Sequence, residues 1–224
     1  MDNAASIESL LSQQGYQVQF VTREKYRGSG PATLCIAVKG AVRHYAAGIC
    51  APDCPEHHRR IQTIEDVSRR MARFEVTPQG ILLSMEARGQ NLWEIEPAPD
   101  PGIIEAQLVE FARWTQKHRL IHGDLRPWNV FFDNEVGVQV IDWGNLSAFV
   151  DDLEPHGGLP ARRSDLLGTG HYATFHPELV AQGKFTEIDL TDARLIGNLL
   201  KGEIGLAEAW PGYHASWRPA WCKP

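Results

Sequence analysis

Two short polar patterns, separated by an apolar run, constrain this chain more than any other feature of its sequence. The first, His122-Gly123-Asp124-Leu125-Arg126-Pro127-Trp128-Asn129, predicts a tight loop that carries an Asp and an Asn five residues apart. The second, Asp142-Trp143-Gly144, directly follows the run Val138-Gln139-Val140-Ile141, which predicts a β-strand. Together the two patterns supply a carboxylate that can act as a base and two oxygen ligands of the kind that Mg²⁺ prefers. Phosphoryl transfer from a nucleotide requires such groups, because its catalysis consists mainly of positioning and charge neutralisation.

This arrangement resembles the catalytic loop and the metal-binding segment of the protein kinase superfamily. The resemblance continues in Gly168-Thr169-Gly170-His171-Tyr172 and His176-Pro177-Glu178, which are similar to the end of a protein-kinase activation segment. Residues 192–197, with an Asp five residues before a Gly, are similar to the opening of helix F in the same family. Four blocks in the family's order form a specific signal, whereas each block alone would be weak.

The resemblance implies an α+β, bilobal protein-kinase-like fold with a small β-rich N-lobe and a truncated, mainly helical C-lobe. The clearest break in composition lies at residues 94–102, where three prolines in five positions cannot continue a helix or a central strand. We interpret this break as the connection between the lobes. The prediction is therefore one kinase domain, with its N-lobe over residues 1–96 and its C-lobe over residues 97–224.

The order of predicted elements also fits such a fold. Apolar and alternating runs predict strands near residues 16–21, 33–39, 43–47, 73–76 and 81–85. Between the third and fourth strands, Pro55 opens a stretch with helical apolar spacing that extends to Met71. After the lobe connection, apolar residues at helical spacing predict a helix over residues 103–119.

A lysine that anchors the nucleotide is expected in the N-lobe. Ile36-Ala37-Val38-Lys39 resembles the Val-Ala-Ile-Lys of kinase strand three, whose lysine contacts the α- and β-phosphates. In the register that we favour, residues 14–18 form the nucleotide loop and Lys39 ends strand three. In the alternative register, Arg27-Gly28-Ser29-Gly30 forms the nucleotide loop, Lys39 ends strand two and Gly48 replaces the usual lysine.

The resemblance assigns the remaining nucleotide contacts to a helix and a strand end. The glutamate that pairs with the lysine is expected to be Glu65, in preference to Glu56, because a carboxylate in the first helical turn already stabilises the helix dipole. The hinge that pairs its backbone with adenine resembles Met85, Glu86, Ala87 and Arg88, with Met85 as the gatekeeper.

In the C-lobe, the resemblance gives Asp124 the role of orienting and deprotonating the acceptor hydroxyl, and Arg126 a contact with the γ-phosphate. Asn129 and Asp142 would hold Mg²⁺, so ATP and Mg²⁺ are the implied cofactors, with Mn²⁺ as an alternative metal. Gly123 stands where His-Arg-Asp kinases have an arginine. We therefore expect activity without phosphorylation of the activation segment, since the guanidinium that would bind such a phosphate is missing.

Three classes of function are open. The leading class is an ATP-dependent protein serine/threonine kinase, of a size that resembles compact bacterial effector kinases. The second is a small-molecule kinase of the aminoglycoside or choline type, in which His-Gly-Asp also occurs, although those families generally lack the Gly-Thr-x-x-Tyr and Pro-Glu segment. The third is a pseudokinase binding module, against which the complete set of Asp124, Asn129 and Asp142 argues.

The composition of the chain limits the classes of partner that it is expected to bind. The formal net charge of −6 argues against nucleic acid and against an anionic membrane surface, so a protein substrate is the expected partner. No apolar run is long enough to span a bilayer, and the first residues lack the basic and apolar parts of a secretory signal. Four cysteines are too few for a disulfide framework. We expect a cytoplasmic protein, or one that is delivered into a host cell if it is an effector.

Overall fold

The computed structural model describes residues 3–25, 31–40, 42–47, 73–76, 82–118, 120–141, 147–148 and 176–211. Several features predicted from the sequence lie outside these residues: the helix after Pro55, the Gly168-Thr169-Gly170-His171-Tyr172 motif, the Asp142-Trp143-Gly144 segment, and the nucleotide loop at residues 27–30 and Gly48 of the alternative register. The chain divides into two compact units, and the predicted lobe boundary at residue 96 stays a prediction. Unit 1 comprises Met1–Gly89 and Asp133–Gly144, and unit 2 comprises Gln90–Phe132 and Asn145–Pro224.

The described helices and strands follow the α+β composition that the sequence predicted. The helices are α1 (Asn3–Gln13), α2 (Pro101–Lys117), α3 (Pro177–Ala181), α4 (Ile188–Lys201) and α5 (Leu206–Ala209), with 3₁₀ turns at Pro127–Asn129 and Phe185–Glu187. The strands are β1 (Gln17–Lys25), β2 (Pro31–Lys39), β3 (Val42–Ala47), β4 (Arg73–Val76), β5 (Leu82–Ala87), β6 (Gln90–Asn91), β7 (Leu120–Ile121), β8 (Val130–Asp133), β9 (Gly137–Val140) and β10 (Ser147–Ala148). No helix among the described residues is both long and apolar enough to cross a membrane.

Unit 1 is built on a five-stranded antiparallel sheet in the order β1-β2-β3-β5-β4. The hairpin between β2 and β3 pairs Lys39 with Val42 and turns at Gly40, whose φ of +63° lies in the left-handed region that glycine tolerates. All five strands were predicted from local patterns, and the structure confirms them with shifts of a few residues at their ends.

The favoured register of the N-terminal strands was wrong. The first described strand, β1, is preceded by the helix α1, so Lys39 ends the second strand of the sheet and not the third. This matches the strand number that the alternative register gives Lys39, whereas the nucleotide loop and Gly48 of that register lie outside the described residues. The reason is that α1 occupies the part of the chain in which the favoured register required a strand.

Unit 2 is mainly helical, and α2 packs against α4 at its centre. The N-terminus of α2 is fixed by Asp100, whose carboxylate accepts the backbone N–H groups of Gly102 at 2.8 Å and Ile103 at 3.3 Å. The helix predicted over residues 103–119 is confirmed, and its buried face is apolar except for one threonine: Ile104, Leu108, Phe111, Ala112 and Thr115. A short antiparallel pair joins β6 to β8, and another joins β7 to β10.

The contact between α2 and α4 depends on Gly197. A Cβ atom at this position would lie 2.7 Å from the Cγ, Cδ and Oε2 atoms of Glu105 on α2. The Glu105 carboxylate accepts a hydrogen bond from Lys201, which raises the pKa of the lysine above its ordinary value. Glu105 therefore cannot move away without loss of this bond.

We expect Gly197→Ala to lower the free energy of unfolding by about 1 kcal/mol, because overpacking costs more than the gain of about 1 kcal/mol in helix propensity. Urea unfolding measures the change. The matched test repeats the substitution in a Glu105→Ala background, where the obstacle is gone and alanine should stabilise the helix. Equal stabilisation in both backgrounds would contradict the packing argument.

Candidate active site

The predicted catalytic loop connects β7 to β8 inside unit 2, and each of its residues except the half-buried Trp128 is buried. Asp124 is 5% exposed and Arg126 is fully enclosed. Gly123 has a φ of +77°, a conformation that an L side chain rarely adopts. The backbone therefore favours glycine at the position where His-Arg-Asp kinases have an arginine.

Asp124 and Asn129, which the sequence placed five residues apart, are brought into direct contact. The Asn129 side-chain nitrogen donates to the backbone oxygen of Asp124 at 2.9 Å and to its Oδ2 atom at 3.1 Å. Since both partners are acceptors, the amide orientation is fixed, and the Asn129 oxygen is the atom that can serve as a metal ligand. The loop thus orients one carboxylate and one amide oxygen together.

Asp189 on α4 anchors the start of the loop. Its Oδ2 atom accepts the backbone N–H of His122 at 2.8 Å, and its Oδ1 atom accepts that of Gly123 at 2.9 Å. Burial raises the pKa of Asp189 above its ordinary value, although the charge of His122 and these two backbone hydrogen bonds act in the opposite direction. One buried carboxylate therefore satisfies two backbone donors directly before Asp124.

Sequence reasoning missed Asp189 and singled out Asp192 on the same helix. The available signal was the pair of carboxylates three residues apart at the start of an amphipathic helix. Such residues lie on the same helix face, and here both lie on the buried one.

Asp192 contacts three polar side chains in the interior of unit 2. Its Oδ2 atom is 2.6 Å from Nη1 of Arg126, and its Oδ1 atom is 2.9 Å from Nε2 of His176 and accepts Nε1–H of Trp210 at 3.0 Å. Burial alone would raise the pKa of Asp192, but the charges and hydrogen bonds of Arg126 and His176 outweigh it, so the pKa lies below its ordinary value.

Arg126 was predicted to contact the γ-phosphate, and the structure places its guanidinium among protein groups. Besides the ion pair with Asp192, Nη1 donates to the backbone oxygen of Leu125 at 2.7 Å. The guanidinium carbon lies 4.9 Å from the centre of the Trp210 ring, and Nε lies 3.7 Å from Oδ1 of Asp124. The phosphate contact stays a prediction.

The lowered pKa of Asp192 predicts an acid-labile contribution to stability. Because the carboxyl is more acidic in the folded chain than its ordinary value of 3.8, its contribution is complete above that pH and is lost as the pH falls through the folded-state pKa. Asp189, whose pKa is raised, contributes with the opposite sign.

We therefore expect the free energy of unfolding of Asp192→Asn to decrease less steeply than that of the wild type between pH 5 and pH 2, the range in which ordinary Asp carboxyls titrate. Urea titrations at several pH values measure both slopes, and parallel slopes would contradict the prediction.

The predicted nucleotide contacts in unit 1 are only partly described. Nζ of Lys39 donates to the backbone oxygen of Gln14 at 2.8 Å and lies 5.3 Å from the ring centre of Tyr16, so the structure places this amine at the turn between α1 and β1. Glu65 and Asp142 lie outside the described residues. The backbones of Met85 and Glu86 belong to β5.

Arg88, at the end of the predicted hinge, already has a partner for its backbone. Its N–H donates to Oε1 of Gln139 at 3.1 Å, and its carbonyl accepts Nε2–H of Gln139 at 3.2 Å. Adenine can accept a hydrogen bond from the Arg88 N–H only if its bond to Gln139 opens, whereas the carbonyl has a second lone pair. Gln139, a polar residue within the apolar run before Asp142, was not identified as a contact from the sequence.

The position of Lys39 also limits where phosphates can bind. Pro31 and Lys39 are the two ends of β2, and eight residue steps at about 3.3 Å each separate them by roughly 26 Å. A lysine side chain cannot cover that distance, so Lys39 cannot contact a phosphate that is held next to Pro31.

Comparison with known proteins agrees with this geometry. A model of the phosphotransferase enzyme family (APH) matches residues 44–148, a segment that contains the whole catalytic loop. A cell cycle serine/threonine-protein kinase of Saccharomyces cerevisiae is 26% identical over 133 residues, which is 58% of this chain and 17% of that protein. These matches support a relationship of the chain to the protein-kinase-like superfamily.

Further relatives extend the match within this superfamily. A serine/threonine-protein kinase of Caenorhabditis elegans is 24% identical over 189 residues, which is 80% of this chain and 28% of that protein. A second kinase of Saccharomyces cerevisiae is 25% identical over 130 residues, or 56% of this chain and 12% of that protein. The chain thus spans between 12% and 28% of the length of these relatives. The comparisons support the predicted superfamily, and the described helices and strands are consistent with its α+β composition.

Proposed function

We propose that this chain is an ATP-dependent serine/threonine kinase of bilobal form that transfers the γ-phosphoryl group of Mg·ATP to a protein hydroxyl. The observation that carries the proposal is the contact between Asp124 and Asn129. The loop on which they lie is anchored by Asp189, which accepts two of its backbone N–H groups. The serine/threonine kinases among its relatives support a protein acceptor. A pseudokinase would have no need for an oriented carboxylate and amide oxygen at these two positions.

The donor set near Asn129 fits Mg²⁺, because carboxylate and amide oxygens are the hard ligands that this ion prefers. Among the described residues, no group of three or more His, Cys, Asp or Glu is arranged to hold a metal. Asp142, the other metal ligand that the resemblance implies, lies outside those residues. When bound, Mg²⁺ would neutralise phosphate charge during transfer.

The protein's own contribution is orientation. Asp124, held through Oδ2 by Asn129, would accept the proton of the acceptor hydroxyl as that oxygen attacks phosphorus. Asp189 fixes the backbone directly before Asp124, so the carboxylate keeps its direction when substrate arrives. The low exposure of Asp124 limits its contact with water, whose competing attack would hydrolyse ATP.

A small-molecule kinase is the second candidate. It is favoured by the phosphotransferase family model over residues 44–148, and by Gly123 before the catalytic Asp. It would use Asp124 and Asn129 in the same way, so the described residues of the catalytic loop do not separate the two candidates. The acceptor distinguishes them.

The decisive experiment supplies purified protein with labelled ATP and Mg²⁺. One arm contains a generic protein acceptor such as myelin basic protein, and the other contains a panel of aminoglycosides and choline. Label in Ser or Thr of the protein acceptor, abolished by EDTA and restored by excess Mg²⁺, supports the proposal. Label only in a small molecule favours the second candidate, and no transfer in either arm would overturn both.

Mg·ATP is expected to stabilise the folded chain, because it binds the native state and not the unfolded one. The gain in the free energy of unfolding is about 2.7 kcal/mol when the nucleotide concentration is about 100 times Kd. Thermal unfolding with and without Mg·ATP measures the gain as a rise in Tm, and calorimetric titration gives Kd. An unchanged Tm together with a flat titration would contradict nucleotide binding.

A further inference from the structure

We propose that Arg126 is a positioning residue. It holds Asp124 in place by bridging it to Asp192 on α4, and it does not act by binding phosphate. It belongs to a cluster of four buried residues, Arg126, His176, Asp192 and Trp210, called here the Asp192 cluster. The inference rests on the proposed function, since the residue that Arg126 positions is the proposed base.

The guanidinium of Arg126 is enclosed by protein groups. Arg126 has no exposed surface, and its guanidinium lies between the Asp192 carboxylate and the Trp210 ring. A phosphate that enters from solvent could reach this group only if the cluster opened. Opening would leave the Asp192 carboxylate buried without its counter-charge, which is among the most destabilising changes a protein interior can undergo.

Arg126 links the proposed base to the helix α4. Its Nη1 atom is 2.6 Å from Asp192 on α4, while its Nε atom is 3.7 Å from Oδ1 of Asp124. One cation therefore bridges the proposed base and a carboxylate of the helix that also anchors the loop through Asp189. Together with the Asn129 contact on Oδ2, this leaves the Asp124 carboxylate held from two sides.

The Asp192 cluster also joins separate segments of the chain. His176 directly precedes Pro177-Glu178, where the predicted activation segment ends, and Trp210 follows α5. Asp192 binds both of them on Oδ1 and binds the catalytic loop through Arg126 on Oδ2. The cluster thus connects the end of the predicted activation segment to the loop through protein side chains alone. No regulatory phosphate is needed for this connection, which fits the absence of a guanidinium at Gly123.

The test compares Arg126→Met, Asp192→Leu and the double variant, which replaces the ion pair by apolar side chains. A buried pair can often be replaced in this way, whereas removal of one partner leaves an uncompensated charge. We expect Arg126→Met to lower kcat at least tenfold with KM for Mg·ATP unchanged within twofold. The double variant should recover at least half of the lost stability and raise kcat above that of Arg126→Met.

A direct phosphate contact gives the opposite pattern. In that case KM for Mg·ATP rises in Arg126→Met, and the double variant stays as slow as the single one even when its stability is restored. This result would overturn the inference. Wild-type protein without transfer activity would instead overturn the proposed function itself, so the two failures are distinguishable.

A milder variant covers the case in which the charge-removing variants do not fold. Trp210→Phe removes the Nε1–H donor to Asp192 but keeps an aromatic ring beside Arg126. We expect a kcat that is three- to tenfold lower with an unchanged KM for Mg·ATP. Trp114→Phe on α2, which makes the same chemical change outside the cluster, should leave kcat unchanged. Equal kcat values for both Trp variants would overturn the inference.

Discussion

Asp124→Asn is expected to lower kcat by a factor on the order of 10²–10⁴, the usual range for loss of a positioned acid–base group. The amide has nearly the shape of the carboxylate, but it cannot take up the proton of the acceptor hydroxyl. Its contact with Asn129 need not be lost, because an amide oxygen can still accept the hydrogen bond that Oδ2 accepts at 3.1 Å. KM for Mg·ATP should therefore change little, and steady-state kinetics with labelled ATP separates the two parameters.

Asp100→Asn is the matched control for this experiment. Asp100 caps α2 through hydrogen bonds to Gly102 and Ile103, and asparagine is an equally good N-cap residue. The control therefore makes the same chemical change without an effect on the proposed site, and its kcat should equal that of the wild type. A kcat for Asp124→Asn above one tenth of the wild-type value would show that another group takes the proton.

Features that depend on neighbouring residues were predicted correctly from the sequence, whereas features that depend on distant parts of the chain were not. The strands β2 to β5 and the helix α2 follow from alternation and helical spacing within a few residues, and the structure has them close to the predicted bounds. The strand number of Lys39 was wrong because it depends on what precedes β1. The helix α1 was not foreseen, since its short sequence carries only a weak apolar pattern.

The candidate site shows the same limit. The contact between Asp124 and Asn129 follows from a spacing of five residues, so the sequence could predict it. Asp189 reaches the loop from 67 residues away at His122, and Gln139 reaches Arg88 from 51 residues away. Pairings of this kind are decided by the packing of elements and not by any local pattern, which is why both residues were missed.

The predicted catalytic loop contacts two buried carboxylates whose charges are compensated in different ways. Two buried carboxylates on α4, Asp189 and Asp192, face the same loop, and burial works against the charge of each. Asp192 is compensated by Arg126 and His176, whereas Asp189 depends mainly on two backbone N–H groups and the charge of His122. The buried charge of Asp189 is therefore less well compensated than that of Asp192. We expect the loss of Asp189 to disturb mainly the backbone of the loop.

Asp189→Asn is expected to lower the free energy of unfolding by about 3 kcal/mol and to reduce kcat together with it. The carboxylate accepts one backbone N–H with each oxygen, whereas asparagine offers one acceptor and one N–H donor. Either His122 or Gly123 would then face a donor instead of an acceptor, and a buried unsatisfied group costs about 1–3 kcal/mol, in addition to the charge-assisted bond that is lost. Because Gly123 directly precedes Asp124, a shift of its backbone also misaligns the proposed base.

Urea unfolding and steady-state kinetics on Asp189→Asn measure the two effects, and Asp100→Asn serves again as the control at a helix start. A further comparison separates stability from alignment. If the loss of kcat came only from partial unfolding, saturating Mg·ATP at a temperature far below Tm would restore the wild-type rate. We expect the rate to stay low under those conditions, because the variant is folded but its loop has lost the acceptor that fixes Gly123. Full recovery of kcat would show that Asp189 contributes only stability and that other contacts align Asp124.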